Sequence, residues 1–142
     1  MNVFLANLKL FFDLKYQTNV LKYIKKSNNL NIYYDIKYIH KREFFDKYIK
    51  NKEHDIGEYY EKMELINLCI GFNNLESMRD LMDTIDKLTK DKLFECIYNG
   101  VLNVFLYSDD ECYFDLSISS SNIFLLKRLN CYLNINYYIN KD

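Results

Sequence analysis

Residues 114–129, FDLSISSSNIFLLKRL, contain a spacing pattern that recurs along the chain. An apolar residue is followed by a small or apolar residue three places later, and by another apolar residue six places after that. A pattern that recurs in this way predicts an array of similar units. Its four instances are Phe11, Leu14 and Val20; Ile66, Cys69 and Leu75; Leu93, Cys96 and Leu102; and Phe114, Ser117 and Ile123.

Apolar residues also recur at the i, i+3, i+4 and i+7 spacing that is typical of one-sided helices. The absence of proline and the presence of only three glycines favour helix further. We therefore predict an all-α fold that forms a single helical domain over residues 1–142. A first helix is predicted from Val3, Phe4, Leu8, Phe11 and Phe12. A clearer helix covers 75–88, and its apolar side consists of Met78, Leu81, Met82 and Ile85.

The order of helix, polar turn, helix and short Asn-containing extended stretch resembles an ankyrin repeat. Residues 114–129 resemble its two helices, and 131–136 resemble the outgoing loop. Residues 93–104 look like the first helix and turn of another unit, with Asn99 and Gly100 as the turn. The resemblance implies stacked helical hairpins, a degenerate ankyrin-like array of the type found in poxviruses and other large DNA viruses. A small irregular helical bundle is the alternative, and a mixed α/β fold is the third possibility.

Charge is distributed unevenly along the chain. Residues 1–54 carry eleven Lys and Arg against five Asp and Glu, a net of +6, whereas 55–142 carry eight against fifteen, a net of −7. The basic N-terminal half mixes lysines with tyrosines and phenylalanines, a combination that suits phosphates and stacked bases. These aromatic residues fall at helical spacing, however, where core packing explains them. Nucleic-acid binding is therefore an alternative to the leading interpretation.

The sequence contains no catalytic signature. His40 and His54 lie fourteen residues apart, each among charged residues, and no set of Cys or carboxylate partners converges on them in the sequence as a metal site requires. A glycine-rich phosphate cradle is also absent. We therefore expect a protein that is not an enzyme and that uses no cofactor and no metal.

The cysteines and the hydropathy pattern bear on the compartment. None of the four cysteines, Cys69, Cys96, Cys112 and Cys131, forms a close pair such as C-x-x-C. Reduced thiols in the cytoplasm or the nucleus are the natural interpretation, and the host cytoplasm follows if the source is viral. No apolar run approaches the ~18 residues that a membrane-spanning helix needs, so no membrane partner is expected.

Stacked helical hairpins present an extended concave surface that suits protein recognition. The expected function is a non-enzymatic, intracellular protein–protein interaction module, and the ankyrin resemblance implies a viral accessory factor that binds a host protein. The bundle alternative implies a compact helical decoy that resembles apoptosis regulators. In an ankyrin-like array, partners bind the outgoing loops and first-helix faces. The candidate protein-binding residues at these places are Tyr33, Tyr34, Lys90, Asp91, Asp110 and Glu111.

Overall fold

A five-stranded β-sheet is the main element of the described chain. The computed structural model describes residues 3–27, 31–40, 62–109 and 116–139. The strands are β1 (Val3–Asp13), β2 (Ile32–His40), β3 (Lys62–Phe72), β4 (Ile97–Ser108) and β5 (Cys131–Ile139). Within these ranges, the α-helices are α1 (Gln17–Lys26), α2 (Met78–Leu88) and α3 (Ser120–Arg128). In the same described ranges, 3₁₀-helices cover Leu14–Tyr16 and Lys92–Cys96.

The all-α prediction is wrong, and β1 shows why. The predicted first helix relied on Phe4, Leu8, Phe11 and Phe12, whose spacing approximates a helical face. In the structure every second residue of β1 enters the core, which is the period of a strand. Phe11 and Phe12 are neighbours that are both fully buried, one on each face of the sheet. Val3 and Phe11 lie on the opposite face of β1 from Phe4, Leu8 and Phe12, and together these residues produced the apparent helical spacing.

The predicted array of helical hairpins and the alternative helical bundle are wrong for the same reason. Ile66 and Cys69 of the recurring pattern lie in β3, and Leu102 lies in β4. Residues 65–70 are all buried, and periodicity alone cannot distinguish such a run from a buried helix. Asn99 and Gly100, which the sequence suggested as a turn, lie inside β4.

β1 lies at the centre of the sheet, whose strand order is β2-β3-β1-β4-β5. It pairs antiparallel with β3 and β4, while β2 pairs antiparallel with β3 and β5 pairs parallel with β4. Two βαβ units, β1-α1-β2 and β3-α2-β4, therefore interlock, because each has a strand of the other between its own two strands. This βαββαβ arrangement is the ferredoxin-like topology, and α3 with β5 adds a further parallel strand.

Side chains from the helices and from one face of the sheet form a single core. α1 contributes Val20 and Tyr23 to this core, and α3 contributes Leu125. The predicted apolar side of α2 is confirmed, since its four residues are all buried in the same cluster. The side chains of Phe11 and Val101 point to the opposite face of the sheet. Both are buried, but they lie outside this cluster. The described helices therefore cover one face of the sheet.

Side-chain hydrogen bonds define the ends of the helices. Ser77 caps the start of α2 by accepting from the backbone N–H three residues later, at 3.2 Å. At α3, Ser119 Oγ accepts from the Asn122 N–H while Asn122 Oδ1 accepts from the Ser119 N–H, both at 3.2 Å, which is a capping box. The Arg128 guanidinium donates to Thr89 O at 3.2 Å and to Thr89 Oγ1 at 3.0 Å. These last bonds join the end of α3 to the residue after α2.

Candidate functional site

The face of the sheet opposite α1, α2 and α3, here termed the far face, carries the candidate site. Strand register aligns its side chains in rows that cross β3, β1, β4 and β5. One part of the far face is fully or half exposed and contains only uncharged side chains. We name this part the Asn/Tyr surface, and its residues are Leu5, Asn7, Asn103, Phe105, Tyr107, Asn134, Asn136 and Tyr138.

A row of asparagine side chains crosses three strands of the Asn/Tyr surface. Asn103 Nδ2 donates to Asn7 Oδ1 at 3.0 Å, and Asn134 Nδ2 donates to Asn103 Oδ1 at 3.3 Å. Because a primary amide has two N–H donors and an oxygen with two lone pairs, each member of the row retains capacity for a partner. The row therefore holds polar groups in fixed positions on an open sheet.

Two stacked tyrosines lie four residues further along the same strands. The Tyr107 and Tyr138 rings have centroids 5.0 Å apart and an interplanar angle of 13°. They are cross-strand neighbours in the β4–β5 register, and they are 40% and 48% exposed. Half-exposed aromatic rings that are held by a neighbour offer a large contact area at a low cost in side-chain entropy.

A shallow groove of about 540 Å³ runs beside the asparagine row. Asn7 and Phe105 form one side of it, and Tyr33, which is 61% exposed, lies on the other. Gly71 lies in the groove, where a Cβ atom would be 3.3 Å from the Asn31 Cβ. The missing side chain of Gly71 therefore keeps this part of the far face low enough to admit a ligand group.

Of the three described cysteines, Cys69 lines this groove. Burial raises the pKa of its thiol, and a hydrogen bond with Cys69 raises the pKa of Tyr33. Both shifts favour the protonated forms, so neither group carries charge near neutral pH. The thiolate is the nucleophilic form of cysteine. Cys69 is therefore an uncharged residue that lines the groove, and it is not a nucleophile near neutral pH.

No protein-family model, no curated protein and no solved structure matches this chain. Among the described residues, no group of three or more His, Cys, Asp and Glu could hold a metal ion. Over the same part of the chain, no helix is both long and apolar enough to cross a membrane.

Lys26 meets Asp91 where α1 approaches the second 3₁₀-helix. Lys26 Nζ forms an ion pair with Asp91, whose side chain also accepts from the Leu93 N–H at 3.0 Å. The backbone hydrogen bond and then Lys26 lower the pKa of Asp91. Tyr23 donates to Leu88 O at 3.0 Å, and burial followed by the charge of Asp91 raises its pKa to about 12. These contacts close the end of the core.

The structure separates the residues that the sequence proposed as a binding site. Tyr33 and Tyr34 follow each other in β2, so Tyr33 lies on the far face and Tyr34 on the helix-bearing face. Lys90 is exposed in the turn after α2, and Asp91 caps a 3₁₀-helix. Asp110 and Glu111 lie outside the described residues. Of the four candidate residues that the structure describes, only Tyr33 lies beside the candidate site.

The described basic residues that were proposed for nucleic-acid binding are also separated from the exposed tyrosine pair. Lys22, Lys25 and Lys26 belong to α1, which covers the face of the sheet opposite Tyr107 and Tyr138. Lys37 forms an ion pair with Asp35 at 3.1 Å. The cations Lys41, Arg42, Lys47, Lys50 and Lys52 lie outside the described residues.

The asparagine row was missed because its members are far apart in sequence. Asn7, Asn103 and Asn134 each stand between two apolar residues, as in Leu133-Asn134-Ile135. Alternation of this kind predicts strands with one polar face. The sequence does not reveal that the three strands are neighbours, because their order in the sheet is decided by the packing of the helices between them.

Proposed function

We propose that the protein is a non-enzymatic binding protein that recognises another protein through the Asn/Tyr surface. The observation that carries this proposal is the hydrogen-bonded row of Asn7, Asn103 and Asn134 beside the stacked pair of Tyr107 and Tyr138. Mutual contacts hold these side chains in place before a partner arrives. Preorganisation of this kind reduces the entropy lost on binding.

The chemistry of the surface favours a protein over a nucleic acid. The cores of protein interfaces are depleted of charge and enriched in tyrosine, and the Asn/Tyr surface has both features. Nucleic-acid affinity depends on cations that neutralise phosphates. Within the described far face, the cation nearest to the asparagine row is Lys9, two residues from Asn7. Stacking of bases on Tyr107 and Tyr138 is nevertheless the alternative function that the exposed rings suit best.

The described cysteines support a reducing compartment as the place of binding. Cys69, Cys96 and Cys131 are free thiols. Disulfides are rare in the cytoplasm and the nucleus, where thiols are kept reduced. We therefore include the cytoplasm, with the nucleus as alternative, in the proposal.

The experiment is affinity capture from a cell lysate with the wild-type chain and with a Tyr107→Ala, Tyr138→Ala variant. Truncation of two central aromatic contacts is expected to cost about 3 kcal/mol of binding free energy, which is roughly a hundredfold in affinity. The matched control is Phe124→Ala, since Phe124 is 70% exposed on α3 and lies away from the far face.

We expect the wild type and Phe124→Ala to retain the same protein, and the tyrosine variant to lose it. Equal retention by all three chains would contradict the proposal. A separate titration with a single-stranded oligonucleotide tests the alternative. Measurable binding that weakens steeply between low and moderate salt, and that the tyrosine variant loses, would favour nucleic acid over protein.

A further inference from the structure

β5 is an outermost strand of the sheet. It pairs with β4 on its inner side, and no described strand pairs with its outer side. A nine-residue edge of this kind presents a row of backbone N–H and C=O groups to another chain. The edge is therefore a template for adding a strand.

Proteins usually protect such edges with charged residues, proline or a bulge. β2, at the opposite edge of the sheet, contains Asp35 and Lys37, which form an ion pair. β5 has the sequence CYLNINYYI and contains neither charge nor proline. Its pairing with β4 also runs without a register shift. Of the two edges of the described sheet, the β5 edge therefore lacks the usual protection.

The sequence of β5 is close to a chemical palindrome about Ile135. Asn134 and Asn136 are placed symmetrically around this residue, with Leu133 and Tyr137 outside them. Antiparallel pairing of two copies across a two-fold axis at Ile135 sets each residue opposite its symmetric counterpart. The opposed pairs are Ile135 with Ile135, Asn134 with Asn136, Leu133 with Tyr137, Tyr132 with Tyr138 and Cys131 with Ile139.

We propose that the chain forms a closed, two-fold symmetric homodimer by antiparallel pairing of β5 with β5 of a second copy. Every opposed pair joins like chemistry, so amides meet amides and apolar or aromatic side chains meet each other. Cross-strand pairs of these types stabilise a sheet. The asparagine row would also continue from Asn134 to Asn136 of the second copy.

Apolar area next to β5 adds to this interface. Ile135 and Tyr137 point to the helix-bearing face and are 42% and 43% exposed. On α3, Arg128 is directed to Thr89 after α2, and Ile123 lies about 140° around the helix from Arg128. Ile123 is 57% exposed. The dimer uses both β5 edges, which leaves only the charged β2 edges and stops growth at two chains.

The test measures oligomeric state by sedimentation velocity over a range of micromolar concentrations. We expect a monomer–dimer equilibrium for the wild type and a monomer for Ile135→Lys, because two cations would meet on the axis. Tyr38→Lys is the matched control, since Tyr38 is 70% exposed on β2 at the other edge. It should dimerise like the wild type, and circular dichroism should show that both variants are folded.

Ile135→Cys tests the register directly. Opposed residues in antiparallel strands have Cα atoms about 4.5–5.5 Å apart, which is within the range that a disulfide bridges. Mild oxidation should give a covalent dimer whose linked peptide joins position 135 to position 135, whereas Tyr38→Cys should stay uncrosslinked. A wild-type chain that is monomeric throughout, an assembly larger than a dimer, or a dimer that Ile135→Lys leaves intact would each overturn the proposal.

Discussion

Gly100 provides a sharp test of how β4 and β5 pack beneath α3. A Cβ atom at this position would lie 2.5 Å from Cys131 Sγ, 2.9 Å from Leu10 Cδ2 and 3.1 Å from Leu129 O. These three atoms belong to two neighbouring strands and to the residue after α3. The Gly100 N–H also donates to Asn130 O at 3.1 Å, which fixes the backbone there. The groups around Gly100 therefore have little room to move away from a methyl group.

We expect Gly100→Ala to lower the free energy of unfolding by about 3 kcal/mol, at the upper end of the usual cost of overpacking a core. For a chain of this size, the midpoint of thermal unfolding should fall by about 10 °C. The assay is chemical denaturation followed by circular dichroism, with the denaturant slope compared between variants to confirm that the same surface is exposed.

Gly71→Ala is the matched control because it is also a glycine within a strand. Its nearest neighbour would be the Asn31 Cβ at 3.3 Å, so the loss should stay within about 1 kcal/mol and can be offset by the lower entropy of the unfolded chain. In the Gly100→Ala background, Cys131→Ala removes the closest clashing atom and should restore about 1 kcal/mol. A Gly100→Ala protein that is as stable as Gly71→Ala, or a double variant without any rescue, would refute the packing described here.

Three further predictions concern the helices and pH. Ser119→Ala removes the capping box of α3 and should cost about 1 kcal/mol in denaturant unfolding, whereas Ser120→Ala, one residue inside the helix, should be nearly neutral; equal losses would argue against the cap. Arg128→Ala should cost about 2 kcal/mol by losing both bonds to Thr89, and Arg128→Lys should recover only part of this because it cannot make both bonds together; full recovery would contradict the geometry. Burial raises the pKa of Tyr23 from 10.0 to about 12 and that of Cys131 from 9.0 to about 12, so the folded state favours the protonated groups. Stability should therefore be complete below pH 9 and fall as pH rises toward 12, and Tyr23→Phe should flatten the fall above pH 10, as unfolding curves at several pH values would show.

The sequence predicted parts of the fold that depend on local patterns. The helix around Met78 and Ile85 was correct, because a one-sided apolar stripe bounded by a Ser cap specifies a helix without help from distant residues. β1 and β3 were mistaken for helices because both faces of each strand carry apolar residues: β3 is buried on both faces over 65–70, and β1 has Val3, Leu5 and Phe11 on the far face. Their apolar runs therefore lack the alternation that marks a half-exposed strand.

Gly100 illustrates a second limit of local reasoning. A glycine after an asparagine is typical of a turn, and nothing near it in sequence indicates that Cys131 and Leu10 approach it so closely. The same limit applies to the candidate site, since Asn7 and Asn134 are brought into one row by strand order alone. Residues that become neighbours across a sheet can be identified only from its strand order. The spacing of residues along the chain does not reveal that order.

The central claim is that a protein partner binds the Asn/Tyr surface on the far face. The most direct measurement replaces Phe105, within this surface, or Phe124, exposed on α3, with photoreactive benzoylphenylalanine and irradiates the chain in cell lysate. Each replacement keeps an aromatic ring at its position, so the fold should be preserved. We expect a covalent adduct with a different protein from position 105 and none from position 124. An adduct from position 124 alone, or adducts from position 105 only with a second copy of the chain, would contradict it.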